Sequence, residues 1–571
     1  MRFKASKIGQ FILFFLMVTN LSAQSLPDSM TKRIDSLFIK WNTTFSPGCA
    51  IGIVRNDSII YTKGYGMANL EYAIPNTPAT IFHIGSISKQ FTAWSILLLE
   101  RQGKLRLDDD IHKYLSWFPD LKERITIRNL LNHTSGIREH LKLLAISGTN
   151  VLSGDAITQE RIIKVLAKQQ TLNFKPGEKY SYSNSGYVML AEIVASVSGS
   201  NLRKFTDSAI FKPLGMSNTH FHDDNTEIER NRASCYDRVD SNHFKNSISN
   251  NSYVGSLGLF TNINEMSKWL MNFYDHKTGD QKIIDSLTKK GKLNSGKELT
   301  YASGIEVDTY RGWRQYSHEG VDAGLRTYLS VYPDLKIGFI VFSNLGDFDP
   351  NGLTHAMAEF FIKDTVQKKE VAGLANADSS AVFMKDRSWL KKFPGYYIGE
   401  DGLPVNFGVK NSKIYYHIYS DSGILARQSK DTFAISNYPV VKFVFGVLAG
   451  DTMVNVIAPG QFYHLKKYIK DPPLSDQLLQ TYTGDYYCPE LDCKYGIVLR
   501  DHDLILTSNK YSDTKLAWIN RDHLTTDYWW IDHLQMVRDN KNRITGFEVN
   551  SSLIIHSAMH LKFIKLVPSR Y

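Results

Sequence analysis

Near residue 372 the spacing of apolar side chains changes, and no other feature divides this chain so sharply. Across residues 27–363, strand-like runs such as Ala50-Ile51-Gly52-Ile53-Val54 alternate with helix-periodic runs such as Phe91-Thr92-Ala93-Trp94-Ser95-Ile96-Leu97-Leu98-Leu99, the pattern of one mixed α/β unit. Residues 326–332 and 337–342 flank the turn signal Pro333-Asp334 and predict an antiparallel hairpin. Residues 372–380 are rich in Ala, Gly, Asp, Asn and Ser, which is linker chemistry. Beyond them, short strands rich in Tyr, Phe, Val and Ile recur between Gly, Asp and Asn, as in an all-β barrel or sandwich.

Within that tail, residues 390–397 and 479–486 share their apolar and glycine positions, a weak internal repeat. Lys470-Asp471-Pro472-Pro473 marks the break between the copies. The expected layout is therefore a leader at 1–23, a mixed domain at 24–372, a linker at 373–388, and β-barrel-like modules at 389–471 and 472–571. One larger β domain is the alternative for the tail. A chain of 571 residues is too long for a single core, at about 150 residues per domain.

The leader combines basic Arg2, Lys4 and Lys7 with the apolar stretch from Phe11 to Val18 and the small-residue site Leu21-Ser22-Ala23. It predicts a secretory signal cleaved near Ala23, and so a periplasmic or secreted protein of a bacterial envelope with no stable membrane span after cleavage. The formal charge of +10 falls by three when those basic residues depart. Lys and Arg are otherwise scattered, which reads as surface solvation and makes nucleic acid an unexpected partner. With four cysteines the core must supply stability; Cys488 and Cys493 are spaced to staple a turn, whereas Cys49 and Cys235 read as separate buried thiols. No metal or other cofactor is expected. His220-Phe221-His222 with Asp223 is the one cluster worth a metal titration.

Three short motifs carry chemistry. Ser86-Ile87-Ser88-Lys89 opens an apolar-periodic helix, so its hydroxyl and amine stack on one face beside free backbone N–H groups. A buried amine with a depressed pKa can take the hydroxyl's proton. The same S-x-x-K form recurs at Ser286, Ser388 and Ser512, so it means little alone. Tyr182-Ser183-Asn184 is the one Y-x-N, a turn that places a proton-exchanging phenol and a carbonyl-binding amide toward a cleft. His318-Glu319-Gly320 precedes the predicted hairpin, where Gly320 permits close approach and Val321 can offer its N–H. His83-Ile84-Gly85 is a rival for that third motif.

In this order, and with Ile125-Thr126-Ile127-Arg128-Asn129-Leu130-Leu131-Asn132-His133-Thr134-Ser135-Gly136, Pro213-Leu214-Gly215-Met216 and Gly255-Ser256-Leu257-Gly258-Leu259 around them, the motifs resemble the superfamily of class C β-lactamases, D-Ala-D-Ala carboxypeptidases, D-aminopeptidases and esterases. The resemblance covers roughly residues 27–363. It implies an α/β (α+β) penicillin-recognising serine hydrolase domain, an antiparallel sheet flanked by helices with an all-helical subdomain. The β tail resembles the lipocalin-like modules that follow some members. By carry-over, Ser86 is the nucleophile, Lys89 and Tyr182 share the proton traffic, and Asn184, His318, Gly320 and Val321 bind substrate, the oxyanion lying between the N–H groups of Ser86 and Val321. Where class C β-lactamases have Lys-Thr-Gly, this chain has His318-Glu319-Gly320. A partly charged His, and Glu319 if it faces the cleft, would disfavour a substrate carboxylate. A peptidase, amidase or esterase acting on a D-amino-acid peptide, another small amide or an ester is thus favoured over an efficient β-lactamase. An inactive envelope receptor is the alternative. His133 is expected to hold its turn rather than transfer protons.

Overall fold

The computed structural model describes residues 26–363 and 393–567, apart from 152–153, 400–403, 412, 419–420, 430, 436–437, 449–450, 459–460, 469–471, 473 and 553–556. The leader and the linker of the sequence reading lie outside these residues. The chain enters through α1 (Asp28–Phe38), β1 (Cys49–Arg55) and β2 (Ser58–Tyr65), then β3 (Phe82–His83) and α2 (Lys89–Arg101). After smaller helices come α3 (Asn184–Ser198), β4 (His220–Phe221), β5 (Leu259–Thr261) and α4 (Ile263–Asp275). The half closes with β6 (Glu306–Tyr310), β7 (Trp313–Asp322), β8 (Leu325–Tyr332), β9 (Ile337–Ser343) and α5 (Pro350–Ala358).

Its main sheet has the order β6-β7-β8-β9-β1-β2 and is antiparallel throughout. Strands β1, β8 and β9 are buried along almost their whole length, because both faces are covered. Ala50, Leu329, Ile340 and Phe342 join the core under α4 and the helical subdomain. Their alternates Ile51, Ile53, Phe339 and Val341 join Ile34 and Phe38 of α1 and Met357 of α5. That is the period-2 rule of a strand acting on a two-sided sheet. The predicted hairpin is β8–β9, turned by a short 3-10 segment at Pro333–Leu335 with Lys336 left-handed.

The tail is all β. Eight strands from Gly395–Gly399 to Gln461–Tyr468 close into a barrel, and nine from Gly484–Cys488 to Ser557–Lys565 form a sheet whose end strands, Thr514–Lys515 and Ala517–Asn520, nearly meet in the chain. Both are lipocalin-like. The repeat has a structural counterpart: Tyr397 donates its hydroxyl to Phe393 O at 2.9 Å, and Tyr486 donates to Tyr482 O at 2.6 Å. All four cysteines are free thiols; Cys488 and Cys493 face each other across two strands, and Cys235, read as buried, is only half-buried.

The two modules relate differently to the first half. The first barrel has its own core of Tyr397, Phe407, Phe443, Val454 and Leu465. The second contributes Tyr495, Ile497, Leu506 and Phe563 to the same continuous core as the helical subdomain. At their junction Arg138, wholly buried, pairs with Glu490 at 2.7 Å and donates to Gln169, Thr171 and the carbonyls of Met559 and His560. Asn173 donates to Ser557, and Tyr511 reaches Ala145 O and Thr149 O. Removing one partner of a buried ion pair leaves an uncompensated charge, at a cost of about 3 kcal/mol. Glu490→Ala should therefore lower the thermal midpoint of the full chain far more than Lys494→Ala, whose amine pairs with Asp485 at the surface; equal midpoints by calorimetry would contradict this account of the junction.

Candidate active site

The nucleophile turn is shaped before the helix begins. Gly85 takes φ +54, a conformation open to glycine, and residues Gly85–Ser88 form a 3-10 turn that runs into α2. The Ser88 hydroxyl donates to Gly85 O at 2.6 Å and accepts from Leu259 N at 3.1 Å, fastening the turn to β5. Ser86 is left half-buried at the surface of a pocket whose floor is Lys89, itself fully buried.

Lys89 Nζ has three oxygen neighbours: Ser86 Oγ at 3.0 Å, Asn184 Oδ1 at 2.8 Å and the Ser256 carbonyl at 2.7 Å. It also lies 4.9 Å from the centre of the Tyr182 ring. Burial pushes the ammonium well below its usual pKa, and the buried carboxylate of Glu139 opposes that only in part. A neutral amine has two hydrogens, and the two carbonyl oxygens can only accept. Its lone pair is then directed at the Ser86 hydroxyl, which becomes the donor. The Tyr182 phenol lies beside this pair, and burial raises it far above its ordinary pKa, an effect the neighbouring Ser86 hydroxyl opposes.

Asn184 does more than the amide-to-substrate role expected of it. The helix starts at Asn184 itself. Its backbone N–H and Nδ2 both donate to Glu139, at 2.6 and 3.2 Å, so one Nδ2 hydrogen remains for a substrate carbonyl. His133 accepts from Ser183 N at 3.2 Å through Nδ1 and stacks its ring 4.2 Å from Tyr182, holding the Y-x-N turn.

The third motif sits inside a strand, not ahead of one. Strand β6 pairs with β7 only as far as Ser317, so residues 318–322 have β8 on one side and the Ile84–Ser86 turn on the other. A side chain at Gly320 would begin 2.1 Å from Ile84 O, and one at Gly85 would begin 2.7 Å from Val321 N. These two glycines let the backbones of Ser86 and Val321 lie side by side. His318 is not partly charged: burial takes it down to about 3. Its Nδ1 contacts Glu319 O at 2.6 Å and its Nε2 contacts the Tyr301 hydroxyl at 3.0 Å, so a neutral ring with the proton on Nδ1 satisfies both. Glu319 falls in the strand row of Tyr328 and Val341, the α1 and α5 side of the sheet, away from His318. The rival His83 is engaged behind the site, with Nε2 accepting from Gly258 N at 3.1 Å and Nδ1 3.2 Å from Asp322. Of the other S-x-x-K copies, Lys289 and Lys515 are exposed, and 388–391 lies outside the described residues.

Ser86, Lys89, Tyr182, Asn184, His318, Gly320 and Val321 thus surround one cleft. Glu139, Tyr301 and the Ser256 carbonyl had no motif to mark them, though Ser256 lies in a segment the resemblance had singled out. Glu306, also unmarked, acts electrostatically on Tyr182 and is raised to about 7 by burial and by Glu319 and Asp308. A separate group of His220, His222 and Glu229 could hold a metal ion.

Residues 41–362 match the Beta-lactamase family. Penicillin-binding protein PbpX of Bacillus subtilis (strain 168) is 32% identical over 294 residues, 51% of this chain and 69% of that protein. A D-aminopeptidase of Gluconobacter oxydans (strain 621H) is 24% identical over 321 residues, 56% of this chain and 60% of that protein. The octameric penicillin-binding protein homologue from Pyrococcus abyssi has the same fold, with a TM-score of 0.52 and 22% identity over 85% of this chain and 99% of that one. Because the match runs over more than half of the sequence and takes in every motif around Ser86, this protein belongs to the beta-lactamase family and is a serine hydrolase.

Proposed function

We propose that the chain is an exported amidase or peptidase that forms an acyl-enzyme on Ser86, with amides and short peptides of D-amino acids as its substrate class and short esters as secondary substrates. The observation that carries this reading is the 3.0 Å approach of a buried Lys89 amine to the Ser86 hydroxyl, with the Tyr182 ring 4.9 Å from the same amine.

In this scheme Ser86 Oγ attacks the substrate carbonyl while its proton passes to Lys89. The new oxyanion faces the N–H groups of Ser86 and Val321. Tyr182 stays protonated at neutral pH and supplies the leaving amine with its proton, recovering one from Lys89. Water then attacks the ester of Ser86, its proton passing to the same pair and on to Ser86 Oγ as the acyl C–Oγ bond breaks, and the acid leaves. The neutral His318 offers a dipole but no charge to a substrate carboxylate, which supports an uncharged amide or ester over a β-lactam. The D-aminopeptidase among the relatives supports the stereochemical class.

Three outcomes test this reading. Ser86→Ala should abolish fluorophosphonate labelling and lower hydrolysis by about four orders of magnitude or more. In a panel of D-amino-acid amides, short-chain esters and a cephalosporin, the amides should have the highest kcat/KM; faster turnover of the cephalosporin would overturn the substrate assignment. Glu139→Gln removes the anion that favours the Lys89 ammonium. Lys89 then deprotonates at lower pH, and the acidic limb of the pH–kcat/KM profile should move to lower pH; an upward shift would remove Lys89 from the role of base.

Export rests on the basic, apolar and small-residue pattern of the leader. Expression of the whole sequence in a bacterium should give an extracytoplasmic product whose N-terminus, by mass spectrometry, is at or near Gln24. A product retaining Met1 would overturn it.

A further inference from the structure

We propose that His220, His222 and Glu229 form a binding site for a divalent transition-metal ion of the Zn²⁺ class, apart from the serine chemistry. His220 and His222 stand two residues apart at an extended segment, so their rings project to the same side, with centroids 5.8 Å apart. Glu229 comes back to meet them from the following loop. One ligand atom from each residue lies within 4.8 Å of the others, and His220 Nε2 is 3.3 Å from Glu229 Oε2. The carboxylate that completes the group is not the neighbouring Asp223, which turns to Arg203 at 2.9 Å.

The second observation is an unmet bonding requirement. His222 is only 2% exposed, yet neither of its ring nitrogens has a hydrogen-bond partner, and His220 Nε2 lacks one too. Buried imidazole nitrogens are rarely left bare, since each costs its desolvation without return. The neutral imidazole is the form that ligates metals. Two histidines and a carboxylate suit Zn²⁺ and leave a fourth position for water. The ligand atoms of a tetrahedral zinc site lie about 3.4 Å apart, so the ion would draw the group slightly inward. Glu227 Oε2, 3.8 Å from His222 Nδ1, is placed to orient that ring from outside the ligand set.

The location gives such an ion a consequence. Phe260 on β5 stacks against His83 at 5.2 Å and His220 at 6.1 Å, and it contacts His222 at 4.5 Å. His83 lies on β3, three residues before Ser86. A bound ion would tie β4 to the loop of Glu229 alongside Phe260, the ring that stacks on His83.

The test uses the full chain stripped with chelator and titrated with Zn²⁺ alone by calorimetry, with Co²⁺ as a spectroscopic probe. One equivalent should bind with micromolar or tighter affinity, and Co²⁺ should give visible bands of a low-coordinate nitrogen and oxygen site. Affinity should fall at least about 100-fold in both Glu229→Gln and His220→Gln, chosen because these side chains are partly exposed and their loss spares the fold, as circular dichroism would verify. Absence of binding to the parent chain, or unchanged affinity in both folded variants, would overturn the proposal. Because binding is measured without substrate, the result is independent of the amidase reading.

Discussion

The structure turns on a single buried amine. Lys89 is surrounded by oxygens: one amide oxygen from the start of a helix, one backbone carbonyl from a loop, and one hydroxyl from its own turn. The first two come from distant parts of the chain. The amine can be tolerated in an apolar interior because those oxygens replace water, and burial disfavours its charged form, so that a neutral nitrogen is available to take a proton from an alcohol. The sheet, the helical subdomain and the Gly255–Leu259 segment converge on this point, so the packing of the whole first half fixes the geometry of one nitrogen.

The cleft above it is made by backbone. Strand β7 runs beyond its partner β6 and is left with one side occupied by the nucleophile turn. Two glycines allow that approach, and any side chain at either would enter the neighbouring main chain. Beside the cleft His318 meets Tyr301, and the rings of Tyr180, Tyr182 and Tyr301 pack around His133.

Much of this could be read from the sequence, for identifiable reasons. Strand and helix periods made the α/β half and its final hairpin visible, and the recurring turn residues marked the β tail. Ser86, Lys89, Tyr182 and Asn184 were legible because their spacings are local and their order matches a known superfamily. Glu139 was not, since a lone carboxylate after His133-Thr134-Ser135-Gly136 has no local signature, and its role arises only when the helix start at Asn184 folds over it. The protonation of His318 was misjudged because burial belongs to tertiary structure. The charge on Glu319 mattered less than expected, because which face a strand residue takes depends on register. Nor could spacing show that the last module shares a core with the helical subdomain while the module before it does not.

That shared core bears on how the molecule is made. Arg138 and Glu490 are separated by 352 positions in the chain. At a synthesis rate of about 5–20 residues per second, the arginine emerges on the order of 20–70 s before its partner exists. The adjoining Glu139, which anchors Asn184 and whose backbone N–H is received by Ser557 at 3.1 Å, waits longer still. A nascent chain therefore carries the whole catalytic sequence while one wall of its scaffold is missing. The residue whose carboxylate anchors Asn184 thus lacks one backbone contact until Ser557 has been made.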